Sequence, residues 1–136
     1  MKIVLDTNVF VSGIFFSGPP YKILQAWRAG QVIIVLSQEI FDEYQRVAGI
    51  LANQFPPVDL SGILNIVKIE AEFYTAPSLP EQVCTDPNDD KFLACALAAK
   101  VPVIVSGDKH LLQVSGFQGI KTIKPREFVD KHLVEK

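Results

Sequence analysis

Asp6, Glu43, Asp90 and Asp108 are carboxylates spread along most of the chain, each placed where a strand should end or a helix should begin. Gathered in one crevice, oxygen donors of this kind suit a hard divalent cation, Mg²⁺ or Mn²⁺, better than zinc. One or two such ions lower the pKa of bound water and stabilise charge developing on a phosphoryl group. Hydrolysis of a phosphodiester is the natural use of that arrangement, with the acids holding the ions rather than attacking the substrate.

Taken singly, each acid has a plainer reading. Asp89 or Asp90 can cap a helix, and Asp108 can belong to a turn with Gly107. Asp6 is harder to set aside, because an acid that directly continues a buried strand is desolvated unless it has a partner. Together the acids repel, at a cost on the order of 4 kcal/mol for two unit charges about 4 Å apart at an effective dielectric of 20. A cation offsets that cost.

Positioning falls to three continuous apolar runs, Ile3-Val4-Leu5, Val32 to Leu36 and Val101 to Val105. Such runs read as strands buried on both faces, and the helical patterns between them make the connections crossovers of a parallel sheet. The runs stop at Asp6-Thr7-Asn8, Ser37-Gln38-Glu39 and Ser106-Gly107-Asp108. Strand C-termini and helix N-termini then share one edge, where ligands bind in folds of this class. The expected helices are Asn8 to Phe15, Tyr21 to Ala29 after a break at Gly18-Pro19-Pro20, and Ser37 to Asn53, closed by Pro56-Pro57. Further helices are expected over Asp59 to Val67, Asp90 to Lys100 and Lys109 to Val114, with a last one at Pro125 and a solvated tail, Lys131 to Lys136. Short strands are expected at Ala71 to Thr75 and, as an edge, Ile120 to Ile123. The whole reads as a single domain, 1–136, of α/β class.

Helix geometry separates Glu43 from its acidic neighbours. The apolar stripe Ile40, Tyr44, Val47, Ala48 and Leu51 leaves Glu43 at its border, Asp42 pointing away and Glu39 as the alternative. Thr7, Asn8 and Ser106 are small polar residues at the same strand ends, suited to orienting water or a ligand and equally to capping. Lys91 and Lys109 neighbour the acids and are the candidate substrate contacts; His110 reads as surface. The early helices are rich in aromatic side chains, Phe10, Phe15, Phe16, Tyr21 and Trp27, for which core packing is the simplest role.

At 136 residues and 49% hydrophobic the chain can bury a substantial core, and a net charge of −2 advertises no global basic field for nucleic acid. Two cysteines, Cys84 and Cys95, make neither a disulfide framework nor a zinc cluster. No apolar stretch approaches a membrane span, so a soluble, cytoplasmic protein is expected.

Lys2-Ile3-Val4-Leu5-Asp6-Thr7-Asn8, Ser37 followed by Glu43, Asp86-Pro87-Asn88-Asp89-Asp90-Lys91-Phe92-Leu93-Ala94 and Val105-Ser106-Gly107-Asp108 occur in an order and spacing that resembles the PIN domain. This nuclease fold supplies the toxin of many bacterial and archaeal toxin-antitoxin pairs, the VapC-like proteins. The resemblance implies a three-layer α/β/α sandwich around a mainly parallel sheet, and coordination of Mg²⁺ or Mn²⁺ by Asp6, Glu43, Asp90 and Asp108 for endoribonuclease action. It also implies an RNA substrate, an antitoxin as inhibitor and a homodimer or higher homo-oligomer. In the Asp89-Asp90 doublet the family spacing to Phe92-Leu93-Ala94 favours Asp90, and Asp86 is assigned to the turn before Pro87. Two other readings compete: a catalytically silent PIN scaffold serving RNA binding or assembly, and a phospho-accepting receiver-like domain. The receiver is disfavoured because Leu36 is followed by Ser37 and Val105 by Ser106, where that fold needs an aspartate and a lysine.

Overall fold

The structure is a computed structural model that describes residues 1–55 and 58–133. Pro56-Pro57, expected to close a helix, and the end of the expected tail lie outside the described residues.

Strand β1 (Lys2–Leu5) leads into α1 (Thr7–Phe15) and α2 (Pro19–Arg28), followed by β2 (Ile33–Leu36), α3 (Gln38–Gln54), α4 (Leu60–Glu70) and β3 (Glu72–Phe73). A 3-10 turn (Pro87–Asp89) then opens α5 (Asp90–Ala99), β4 (Val103–Val105), α6 (Lys109–Gln113), β5 (Lys121–Ile123) and α7 (Pro125–His132). The strands form a five-stranded sheet in the order β3-β2-β1-β4-β5. Every pairing is parallel, and helices flank the sheet.

The chain winds outward from β1 through β2 to β3, then returns to the other side of β1 for β4 and β5. Strand order therefore reverses between β1 and β4, where Leu5 lies opposite Val105. Connections diverge at such a point and leave a crevice beyond the strand ends.

The core explains the long apolar runs. Ile3, Val4, Leu5, Ile34, Val35, Leu36, Ile104 and Val105 are completely buried, each stabilising the fold by roughly 1.5–3 kcal/mol relative to exposure. Phe92, Leu93, Cys95 and Ala96 bury the nearly all-apolar α5 against β1, β2 and β4. The buried Phe10 ring stacks on Tyr44 at 4.2 Å between centroids, and the Tyr44 hydroxyl donates to the Leu5 carbonyl at 2.6 Å. These contacts fix the C-terminal end of β1 between α1 and α3. Trp27 is also buried, whereas Phe16 and Tyr21 are exposed.

Several boundaries differ from the sequence reading for local reasons. Pro19 and Pro20 open α2 instead of preceding it, since a first-turn N–H needs no intrahelical partner. β4 starts at Val103 because Val101 is engaged elsewhere: its N–H donates to the Ala96 carbonyl and closes α5, with Lys100 in the left-handed region at φ 57°. Ser37 and Asp59 cap α3 and α4, accepting from Ile40 and Gly62 backbone N–H groups.

Candidate active site

Asp6 leaves β1 with its N–H bonded to the Val105 carbonyl at 3.0 Å, which puts its side chain directly over the β1/β4 reversal. The carboxylate is buried. Its Oδ2 accepts from the Ser106 hydroxyl at 2.6 Å, and the same Ser106 oxygen accepts from the Asp108 N–H at 2.9 Å. Asp108 caps α6, its Oδ1 accepting from the His110 N–H at 2.7 Å. Burial pushes the Asp6 pKa up, the Ser106 hydrogen bond pulls it back, and the Asp108 and Glu43 charges raise it again.

Glu43 reaches the same edge from the second turn of α3. Its Oε2 accepts from the Thr7 hydroxyl, while Oε1 pairs with Lys91 Nζ at 2.9 Å and lies 3.7 Å from Arg46. Lys91 also donates to the Asn88 carbonyl at 2.8 Å, and its side chain is only 8% exposed. Lys91, offered by the sequence as a substrate contact, is an interior counter-ion joining α3 to α5 in this structure. Lys109 and Asn8 are exposed at the rim.

The Asp89-Asp90 doublet divides in a way the sequence did not suggest. Both Asp90 oxygens are occupied by backbone donors, Oδ2 by Val83 N–H at 3.0 Å and Oδ1 by Cys84 N–H at 2.7 Å. Asp90 therefore pins the long loop before α5. Asp89 is 8% exposed, and its Oδ2 is buried with no hydrogen-bond partner among the described residues. Burial, then repulsion from Asp108, Asp6 and Asp86, pushes its carboxyl up to about 7. The acid that shares the crevice field with Asp6 and Asp108 is the one placed second by sequence. Asp86 accepts from Asn88 N–H and makes the expected turn.

Among the described residues, no three His, Cys, Asp or Glu side chains are drawn together closely enough to hold an ion as they stand. The donor set nevertheless fits a hard divalent cation. An orphaned carboxylate oxygen and mutually repelling buried acids are what such a cation satisfies. Burial pushes the Cys84 and Cys95 thiols up to about 12 and keeps them protonated.

Two features escaped sequence reasoning. The loop over residues 76–87 borders the crevice, and its need for the Asp90 anchor is invisible without knowing that Val83 and Cys84 N–H groups face inward. His110 is half-buried, with Nδ1 lacking a hydrogen-bond partner among the described residues. No helix among the described residues is long and apolar enough to cross a membrane.

Comparison with known proteins agrees with this geometry. The chain is 26% identical over 147 residues to the uncharacterized protein MJ1680 of Methanocaldococcus jannaschii, covering 96% of this chain and 91% of that protein. The sequence pattern described as "PIN domain" matches residues 2–110, a span that includes every acid of the crevice. The chain belongs to the PIN domain family, whose members are generally nucleases.

Proposed function

We propose that the protein is a metal-dependent endoribonuclease that hydrolyses RNA phosphodiester bonds, acting in the cytoplasm as the toxin of a toxin-antitoxin pair. The observation that carries the nuclease reading is the orphaned Asp89 oxygen, buried in the field of Asp6 and Asp108 at the reversal of strand order. The toxin role, an antitoxin partner and a homodimeric or higher assembly extend it by family resemblance.

In this reading Asp6, Asp89 and Asp108 hold Mg²⁺ or Mn²⁺, with Glu43 beside them and Asp90 supporting the adjacent loop. When bound, the cation supplies positive charge to the phosphoryl oxygens and acidifies water. The chain's own groups do the rest. Ser106 keeps the Asp6 carboxylate in one orientation, and Thr7 and Lys91 hold Glu43 facing the crevice. So held, Glu43 would be the residue to orient an attacking water and take up its proton. Asn8 and Lys109, exposed at the rim, meet the phosphates on either side of the cut.

The test is cleavage of a mixed structured RNA pool with Mg²⁺ or Mn²⁺ and with chelator, beside Asp89→Asn and Asp90→Asn proteins purified identically. Metal-dependent cutting that is abolished in Asp89→Asn is expected. Equal cutting by wild type and Asp89→Asn points to a contaminant, and absence of cutting with either ion leaves the silent PIN scaffold.

A further inference from the structure

Two adjoining cavities border the loop of residues 76–87, the first reaching Asp90 and Lys91. The first, about 240 Å³, is lined by Glu39, Ser78, Glu81, Gln82, Asp90 and Lys91. The second, about 410 Å³, has Phe73, Tyr74 and Thr75 on its wall, and the two share Ser37, Glu39 and Ala76. We propose that they form a track for two consecutive bases of a single-stranded RNA, the polar cavity taking guanine and the aromatic one stacking its neighbour. The proposal rests on the reading of RNA as substrate.

The polar cavity is rich in acceptors. Gln82 Nε2 already donates to the Cys84 and Thr85 carbonyls, at 2.9 and 3.2 Å, which leaves its amide oxygen as an acceptor. Glu39 and Glu81 add exposed carboxylates. Among the described residues the one cation on the wall is Lys91, which is paired with Glu43. Such a lining repels phosphate and favours a ligand edge made of donors. Guanine fits best, since its N1–H and N2–H₂ groups can be received together by one carboxylate, whereas adenine, cytosine and uracil lack that adjacent pair.

The aromatic cavity supplies what the polar one lacks. Phe73 is 40% exposed, and a T-shaped contact with Phe41 at 5.6 Å holds its ring in place. A fixed, open ring beside a polar cavity is a stacking platform that tolerates any base. Position ties the track to the chemistry through Lys91, which lines the first cavity and pairs with Glu43 at 2.9 Å. A base seated here belongs to a nucleotide next to the cut.

The experiment measures binding and cleavage separately on short labelled single-stranded RNAs that carry guanosine or inosine, which lacks the 2-amino group, at one position. Binding is read with chelator present and cleavage with Mn²⁺, for wild type, Glu39→Gln, Glu81→Gln, Phe73→Ala and Phe73→Tyr, each checked for native circular dichroism. Wild type is expected to prefer guanosine and to cut beside it. At least one carboxamide variant should lose the preference. Phe73→Ala should weaken all sequences by about tenfold, with Phe73→Tyr restoring binding. Guanosine-selective binding without cleavage upholds the track and removes the nuclease reading; cleavage without base preference does the reverse. Equal binding of both RNAs by all variants, or no binding, overturns the track and leaves the acceptor-rich groove to an arginine-bearing peptide.

Discussion

The Ser106 hydroxyl donates to Asp6 Oδ2 at 2.6 Å across a sequence separation of 100 residues, and in doing so ties the end of β4 to the end of β1. Because Ser106 also receives the Asp108 N–H, one oxygen orients two of the proposed metal-binding acids. Replacing it with Ala leaves the buried Asp6 carboxylate short of a donor. Ser106→Ala is expected to destabilise the fold by about 1–3 kcal/mol and to weaken Mn²⁺ binding roughly 10–100-fold, as loss of an outer partner of a ligand does. Calorimetric titration and denaturant unfolding measure the two effects.

Metal-free protein should lose stability as pH rises. Asp89 holds its proton up to about pH 7 in the folded chain, against an ordinary value of 3.8. Between those values the unfolded chain is ionised while the folded one keeps the proton. Stability therefore falls as pH rises through that window and stays lower above it. Asp6, also raised, contributes in the same direction. Urea unfolding in chelator should give a lower midpoint near pH 8 than near pH 5. Asp89→Asn should flatten the difference, and Mn²⁺ should restore the wild-type midpoint near pH 8.

Asp90→Asn separates the two halves of the doublet. Losing a charged acceptor of the Val83 and Cys84 N–H groups should loosen the preceding loop, with a cost of about 1–3 kcal/mol. Hydrogen exchange at those amides should speed up. Metal affinity should fall far less than in Asp89→Asn; an equal fall in both would return Asp90 to the ligand set.

Lys91→Met removes the interior partner of Glu43. The remaining half-buried carboxylate is expected to cost on the order of 2–4 kcal/mol, and the activity should fall even where the protein remains folded. Thermal melts and cleavage assays below the melting range distinguish the contributions.

Gly13→Ala tests the packing that steadies the N-terminal helices. An added Cβ would stand 2.7 Å from Leu24 Cδ1 and 2.8 Å from the Pro20 carbonyl oxygen, so α1 and α2 must part. Destabilisation of about 1–3 kcal/mol is expected. Because α1 also buries Phe10 against Tyr44, the loss should be accompanied by a change in the near-ultraviolet aromatic spectrum.

The sheet was legible in the sequence because its strands are buried on both faces and therefore spelled in unbroken apolar residues, as Ile3-Val4-Leu5 and Val103-Ile104-Val105 show. Glu43 was legible for a related reason: its place beside the stripe of Ile40, Tyr44 and Ala48 fixes the direction it faces. The division between Asp89 and Asp90 was not. Adjacent residues at a helix start leave in different directions, and which carboxylate meets the crevice depends on a 3-10 turn and on two amides in an irregular loop. The inward course of Lys91 was not legible either, because a long side chain can fold inward when its charge finds an acid on another helix. Hydrophobic periodicity carries no trace of either event.

The pairing of β1 with β4 has a consequence for when activity can arise. Asp6 is separated by 100 residues from Ser106, which orients it, and loop closure makes contacts of such separation slow to form. A product shortened before Ser106 holds Asp6 and Glu43 but lacks the hydroxyl that orients the former. The arrangement of acids at this edge thus belongs to the completed sheet and not to its N-terminal part.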